Sequence, residues 1–467
     1  MAKRRTNAFL MSAALSVAVV GTSFSLARAD TLTDALISAY QTSPLLASNQ
    51  AALRSVDENV PQARAERRPQ TSANLSASSS VDYGEFGDRT DSLQATLDAS
   101  LLLFDNGQTK AAIEAARNNV AAARADLKNV EQVVLFSAVE AFVDVRRDEE
   151  FVRISRNDVE RLEETLRATQ NRFEVGEVTR TDVSQSEAAL AESRANLASS
   201  LGDLEVSRQA YLAAVGRPAD NLETLPPLPA LPATLSEANQ IGLQSNPQII
   251  SAQFLERVAV YNFDRAFAAK GPTLSGTVST GVQRSNSNQL QIWQGEPFAE
   301  VGIVGSVPLY TGGANDSLIR QAQALIDQRR FELQDTARSV TEDVASAWAQ
   351  LEVSKVAIVA RREQAEASRL AAEGVSEEAR LGARSTLDVL DADQDRLEAE
   401  AEIVDAIRTE YVAAYSLLQA MGLLTVEHLN LGIETYNPDD YFMRVQSGPP
   451  GGFDTSVVDR IRSRWER

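Results

Sequence analysis

The chain has 467 residues, no cysteine, one histidine and a formal net charge of −20, with 43% hydrophobic but only 6% aromatic residues. Disulfides, thiol chemistry and imidazole or thiolate metal sites have nothing to be built from, so no metal or cofactor is expected. The acidic balance argues against nucleic acid as a partner, and the shortage of aromatics points to a thin buried layer rather than a thick globular core.

The first residues have the form of a secretory signal. Lys3, Arg4 and Arg5 precede an apolar stretch over residues 8–20, and Ala27-Arg28-Ala29 stands before Asp30. Cleavage after Ala29 is predicted, giving a signal peptide at 1–29 and a mature charge of about −24. The rival reading, a lone membrane anchor, has only a short apolar stretch to work with. Thr31 or Thr33 then caps a short helix ending near Thr42-Ser43, and Pro44 suits the first turn of the next helix. That second run is expected to reach about Arg67, with an interruption at Pro61.

From Leu93 the odd positions are Leu93, Ala95, Leu97, Ala99, Leu101 and Leu103, while the even ones begin Gln94, Thr96, Asp98 and Ser100. This period of two predicts a strand at about 93–104, with a partner at about 71–83. A half-buried soluble hairpin would show the same alternation. An exported chain with two such hairpins fits the tilted strands of an outer-membrane barrel better. Tyr83, Phe86, Phe104, Trp293, Phe298 and Tyr310 lie near strand ends, where an aromatic girdle would be. Four strands cannot close alone, so several copies must share one barrel.

Gln108 to Val175 contains neither glycine nor proline. As one helix it would reach on the order of 100 Å. Every seventh residue from Ile113 is apolar (Val120, Leu127, Val134, Ala141), and after a step of four the row resumes at Val145, Val152, Val159, Leu166 and Phe173. This is a coiled-coil seam with one stutter, and it carries too many charges to cross a membrane. Thr181 or Asp182 then caps a returning helix with the row Val183, Leu190, Leu197, Leu204 and Tyr211. The proline-rich stretch 217–233 is a stiff linker.

The same object then recurs about 206 positions on. Gly313 echoes Gly107, and Ile319, Ile326, Leu333, Val340 and Ala347 repeat the row, with the stutter at Leu351. Strands are expected at about 273–283 and 300–310, and the returning row is Leu390, Leu397, Val404, Tyr411 and Leu418. The chain therefore divides into a first repeat at 30–216, the linker at 217–233, a second repeat at 234–422 and a segment at 423–467. Order weakens past Gly422 and ends in a flexible tail.

The run from Arg172-Phe173-Glu174-Val175-Gly176 to Thr179-Arg180-Thr181-Asp182-Val183, and its echo Leu381-Gly382-Ala383-Arg384-Ser385-Thr386-Leu387-Asp388-Val389-Leu390-Asp391-Ala392, resemble motifs of the TolC family. That is a family of outer-membrane efflux and type I secretion channels, and the likeness covers roughly 31–430. Lack of cysteine separates the chain from the lipid-anchored branch. The resemblance implies a mainly α fold with a transmembrane β part: a homotrimer whose chains share one twelve-stranded β-barrel, continued by a periplasmic α-barrel of long helical hairpins. It implies a passive exit channel in the outer membrane and its lipid, opened by a periplasmic adaptor and driven by an inner-membrane pump of RND or ABC type.

It further implies that Val175-Gly176-Glu177 and Leu381-Gly382-Ala383 are adaptor-docking tips, Glu177 being unusual at its place. Asp388 and Asp391 would line the periplasmic constriction, and Arg384, Thr181 and Asp182 would belong to the gate latch. A latch position that carries tyrosine in close relatives is Ala379 here. From the residues alone, Asp388 and Asp391 share a helix face and would gather at a symmetry axis, and they would equally serve as solvated helix-start carboxylates facing the dipole. Gly176 and Gly382 suit hairpin turns whether or not anything docks there. The competing function is a soluble periplasmic coiled-coil adaptor or scaffold, which leaves the alternating strands unexplained. No nucleophile, base and oxyanion grouping recurs to suggest an enzyme.

Overall fold

The structure, a computed structural model, describes residues 30–81, 89–287 and 294–446. The signal peptide, the girdle candidates Tyr83, Phe86 and Trp293, and the tail beyond residue 446 lie outside the described residues.

In chain order the elements are α1 (Leu32–Thr42), α2 (Pro44–Asp57), α3 (Asn59–Ala65), β1 (Gln70–Val81), β2 (Arg89–Phe104), α4 (Gln108–Glu174) and α5 (Arg180–Val215). They continue with α6 (Leu235–Ser245), α7 (Pro247–Ala268), β3 (Thr273–Ser287), β4 (Gln294–Ser306), α8 (Ala314–Arg380), α9 (Thr386–Ala420) and α10 (Pro438–Gln446). Thr31 opens α1 with a capping box in which Asp34 reaches back to it. The expected run to Arg67 is divided at Glu58, ahead of Pro61, because a proline ring crowds the carbonyl four residues earlier, that of Asp57.

The four strands form one antiparallel sheet in the order β1-β2-β3-β4, so the two halves of the chain meet at β2 and β3. Register puts Leu75, Ala95 and Val282 in one row, and Ala99, Val278 and Val301 in another. On this face Leu97 is 55% and Val301 79% exposed. The opposite face carries Asn74, Thr96, Asp98 and Ser279, where the Asp98 carboxylate accepts from Asn74 at 2.8 Å, Thr96 at 2.9 Å and Ser279 at 2.5 Å. The sheet thus turns its apolar side outward and satisfies its polar side internally, the inverse of a sheet folded in water. At the helix end of β2 a bulge between Leu102 and Phe104 breaks the alternation, and Phe104 pairs with Leu274 on the apolar face. Phe298 opposes Gly281 and belongs to the polar face, so it does not stand in an outward girdle.

Among the described residues no helix is long and apolar enough to cross a membrane. Both α4 and α8 run for 67 residues, and their heptad positions Val120, Val134, Val145 and Val152, with Val340, Leu351 and Ile358, are buried. Helix α4 packs on α5 and, across the hairpins, on α7 and α9, while α8 packs on α9 and α7. Next to the sheet α7 therefore lies between α4 and α8, and toward the hairpin tips the lateral order is α5-α4-α9-α8.

The main core lies around the stutter. There Phe142 and Tyr211, with ring centroids 6.4 Å apart, pack with Leu36 of α1, Val344 and Leu351 of α8, and Leu417 and Leu418 of α9. Ala219 and Leu222 of the stretch 217–233 are buried in the same core, and Asp30 and Leu222 form a parallel bridge. Residues 423–446 are better ordered than the sequence suggested. Leu424, Val426 and Leu431 are buried, and the Val426 amide donates to Glu131 at 2.8 Å.

Candidate pore mouth at the hairpin tips

Each hairpin turns through the same motif. At the first tip Gly176 takes φ +81° and its amide donates to Phe173 O at 3.0 Å, while the Glu177 amide donates to Arg172 O at 2.9 Å. At the second, Gly382 takes φ +78°, with Gly382 N to Ala379 O at 3.1 Å and Ala383 N to Glu378 O at 2.9 Å. These are Schellman closures, in which a left-handed residue lets the last helical carbonyls find donors. The closure projects the preceding apolar residue into solvent: Val175 is 72% and Leu381 86% exposed. Glu177 pairs with Arg172 at 3.3 Å, a contact that Ala383 cannot make.

The returning helices also start alike. Thr179 caps α5 and Ser385 caps α9, with Asp182 and Asp388 at the third helical position bonding back to the cap amide at 2.7 and 2.9 Å. The expected cap at Thr181 or Asp182 is thus corrected. Thr179-Arg180-Thr181-Asp182 has the Thr-x-x-Asp spacing of a capping box, whereas Thr181 has Ser184 three residues on. Hydrogen bonds from Thr179, chiefly its hydroxyl, hold the Asp182 carboxyl below the ordinary carboxylate range, helped by the Thr386 hydroxyl of the other hairpin. The Ser385 amide and hydroxyl, and then the Arg384 charge, do the same for Asp388.

Asp388 therefore carries a cap charge at the dipole's positive end, as its helix-start reading foresaw. Asp391, one turn on, is exposed. Arg384 is paired with Glu378 at 2.8 Å rather than with Asp182, and Thr181 is exposed without a bond to either. Ala379 is buried, and its carbonyl is taken by Gly382. Among the described residues no acidic or histidine cluster has the makings of a metal site.

A polar junction that the heptads did not announce ties the two hairpins together just above the tips. Arg161 of α4 bonds Asp158 at 2.5 Å and also Asp393 of α9, and Ser193 of α5 donates to the second oxygen of Asp158 at 2.5 Å. Higher on the same seam Arg408 meets Asp144 at 2.8 Å. The only signal in the sequence was Asp158 lying next to a seam position, Val159.

An inside-out sheet with two open edges, continued by two coiled hairpins ending in matched turns, is one segment of the wall of a membrane-embedded tube. Comparison with known proteins gives that class a family. The profile of the outer membrane efflux protein family matches residues 35–217 and 239–423, once in each half. The chain is similar to the outer membrane efflux protein BepC of Brucella suis, 32% identical over 424 residues, covering 90% of this chain and 91% of that one. It is 26% identical over 295 residues to the alkaline protease secretion protein AprF of Pseudomonas aeruginosa, covering 62% of this chain and 61% of that one. The crystal structure of the outer membrane protein VceC from Vibrio cholerae shares the fold, with a TM-score of 0.71 at 20% identity over 84% of this chain and 96% of that one.

The chain belongs to the outer membrane efflux protein family. It is an exit channel protein of the outer membrane that extends into the periplasm, and the soluble-scaffold alternative falls away.

Proposed function

We propose that three copies of this chain close into one passive tube, with twelve strands in the outer membrane and twelve helical strands below it in the periplasm. The observation that carries this reading is the sheet. Its outward face is apolar, and β1 and β4 each present an unpaired edge. In hydrocarbon an open edge leaves a row of backbone groups without partners, and single-chain barrels begin at about eight strands. Three copies supply twelve and leave no edge. The helices have margins too: Val206 on α5 and Val353 and Val356 on α8 are exposed, as expected if α5 of one copy meets α8 of the next.

In this reading the segments 30–216 and 234–422 are quasi-equivalent wall units joined by 217–233, residues 423–446 belt the equator, and residues 1–29 direct export. The tips Val175-Gly176-Glu177 and Leu381-Gly382-Ala383 dock a periplasmic adaptor, and an inner-membrane pump of RND or ABC type supplies the energy, so the tube needs no chemistry of its own. Asp388 and Asp391 ring the periplasmic mouth, where confined like charges attract cations. Arg384, Thr181 and Asp182 hold the tips together until docking untwists them. The nearness of Asp182 to Thr386 supports a latch between hairpins.

The test is reconstitution in planar bilayers. Wild type should give a small cation-preferring conductance, and Asp388→Ala with Asp391→Ala should weaken block by multivalent cations. A mature chain that stays monomeric and soluble in detergent-free buffer would refute the tube. Unchanged block would remove both aspartates from the pore axis.

A further inference from the structure

Helix α9 carries Asp388 and Asp391 on one side. At about 100° per residue, Asp393 lies roughly 170° round the helix from their midpoint, on the side facing α4. That back side is where the buried junction sits. Asp158 and Ser193 are almost fully enclosed, and Asp393 is 17% exposed at its side chain. One guanidinium, that of Arg161, bonds a carboxylate from each hairpin. Ser193 fixes the far oxygen of Asp158, so α5 and α4 form a rigid seat and Asp393 is what that seat grips. Arg396 stands 3.7 Å from the same Asp393 oxygen and is itself tied to Glu400.

We infer that Arg161 is the positioning residue of a clamp within each subunit, one that fixes the rotation of the first turns of α9 and hence where Asp388 and Asp391 point. This rests on the assignment of those two aspartates to the pore mouth. The clamp differs in kind from contacts at the tips themselves: it lies about two helical turns inside α9, it is buried, and both partners are in one chain. For the second hairpin to swing away from the first, Asp393 must leave Arg161, while the Arg408–Asp144 pair, about 25 Å higher on α4, stays closed as the pivot. A guanidinium suits the task because its planar fork reaches two carboxylates at once, which a lysine ammonium on a flexible stem does not.

The experiment compares single-channel conductance of wild type, Arg161→Glu, and Arg161→Glu with Asp393→Arg, each in the full mature protein shown to be assembled by chemical crosslinking. Arg161→Glu places like charges on both hairpins and should raise conductance several-fold. The exchanged pair should return it to the wild-type level, a rescue that general loss of packing would not give. Should Arg161→Glu not assemble, Asp393→Asn, which keeps the size and removes the charge, is read in the same way. Equal currents in wild type and the variants, or a raised current that the exchanged pair fails to lower, would overturn the clamp alone. A wild-type protein that passes no current would overturn the channel reading and the clamp with it.

Discussion

Leu97 sits at the middle of β2, between Ala73 of β1 and Thr280 of β3, on the face with Leu75, Val278 and Val301. If that face meets lipid, Leu97→Arg puts a cation near the bilayer midplane, at a cost of about 2–4 kcal/mol per copy and so roughly 6–12 kcal/mol for a three-copy barrel. If the face meets water, the same change removes an exposed leucine and should stay within about 0.5 kcal/mol. Copy for copy, the two readings therefore differ by about four- to eight-fold in energy. Gln94→Arg is the matched control, since Gln94 lies on the polar face of the same strand opposite Ser76 and Gln283, and it should insert as wild type does. The assay is refolding from urea into lipid vesicles, scored by protection of the strands from protease and by yield of assembled channel. Normal insertion of Leu97→Arg, or equal impairment of both variants, would refute the orientation of the sheet and the closed barrel argued from it.

Two glycines with nearly the same backbone should respond differently to alanine. At Gly382, φ is +78° and an added Cβ meets nothing within 4 Å, so Gly382→Ala should cost only the left-handed strain, about 1 kcal/mol in denaturant unfolding. At Gly422, φ is +79° and the Cβ would lie 2.6 Å from Ser245 O and 2.7 Å from Asn246 Cα, so Gly422→Ala should cost clearly more. Asp57 is fully buried with neither oxygen bonded, and burial, opposed by the Arg124 charge, raises its pKa. A raised folded-state pKa gives a contribution that is complete below the unfolded value of about 4 and is lost as pH rises through the folded value. Asp57→Asn should therefore melt higher than wild type at pH 8, with the gap closing near about pH 3. A gap independent of pH would refute that account.

The parts of the fold legible in the sequence were those whose pattern repeats along one segment. The apolar rows of α4 and α8 recur every seven residues for dozens of residues, and the Leu/Ala alternation of β2 fixes its lipid face without reference to a partner. Strand β1 was fainter because Ser, Asn, Thr and Ala alternate with little contrast in hydropathy. Phe298 was misjudged for a related reason: nearness to a strand end says nothing about parity, which the pairing with Gly281 decides. The cap at Thr179 was within reach, since Thr-x-x-Asp and Ser-x-x-Asp stand at matched places in the two repeats. The closing segment gave no sign of order because Leu424, Val426 and Leu431 follow no regular period. They are held by what they touch, including the Glu131 carboxylate on the Val426 amide.

Least legible was the seam between hairpins. Arg161 and Asp393 are 232 positions apart, and their meeting depends on the register of α4 against α9, which the heptads leave free to slide by whole repeats. A charged pair at that seam gains little until both partners are buried together, and then one misplaced partner is left unpaired at a cost of several kcal/mol. Such a junction penalises every register but one. The feature that sequence periodicity could not specify is therefore the feature able to specify the packing.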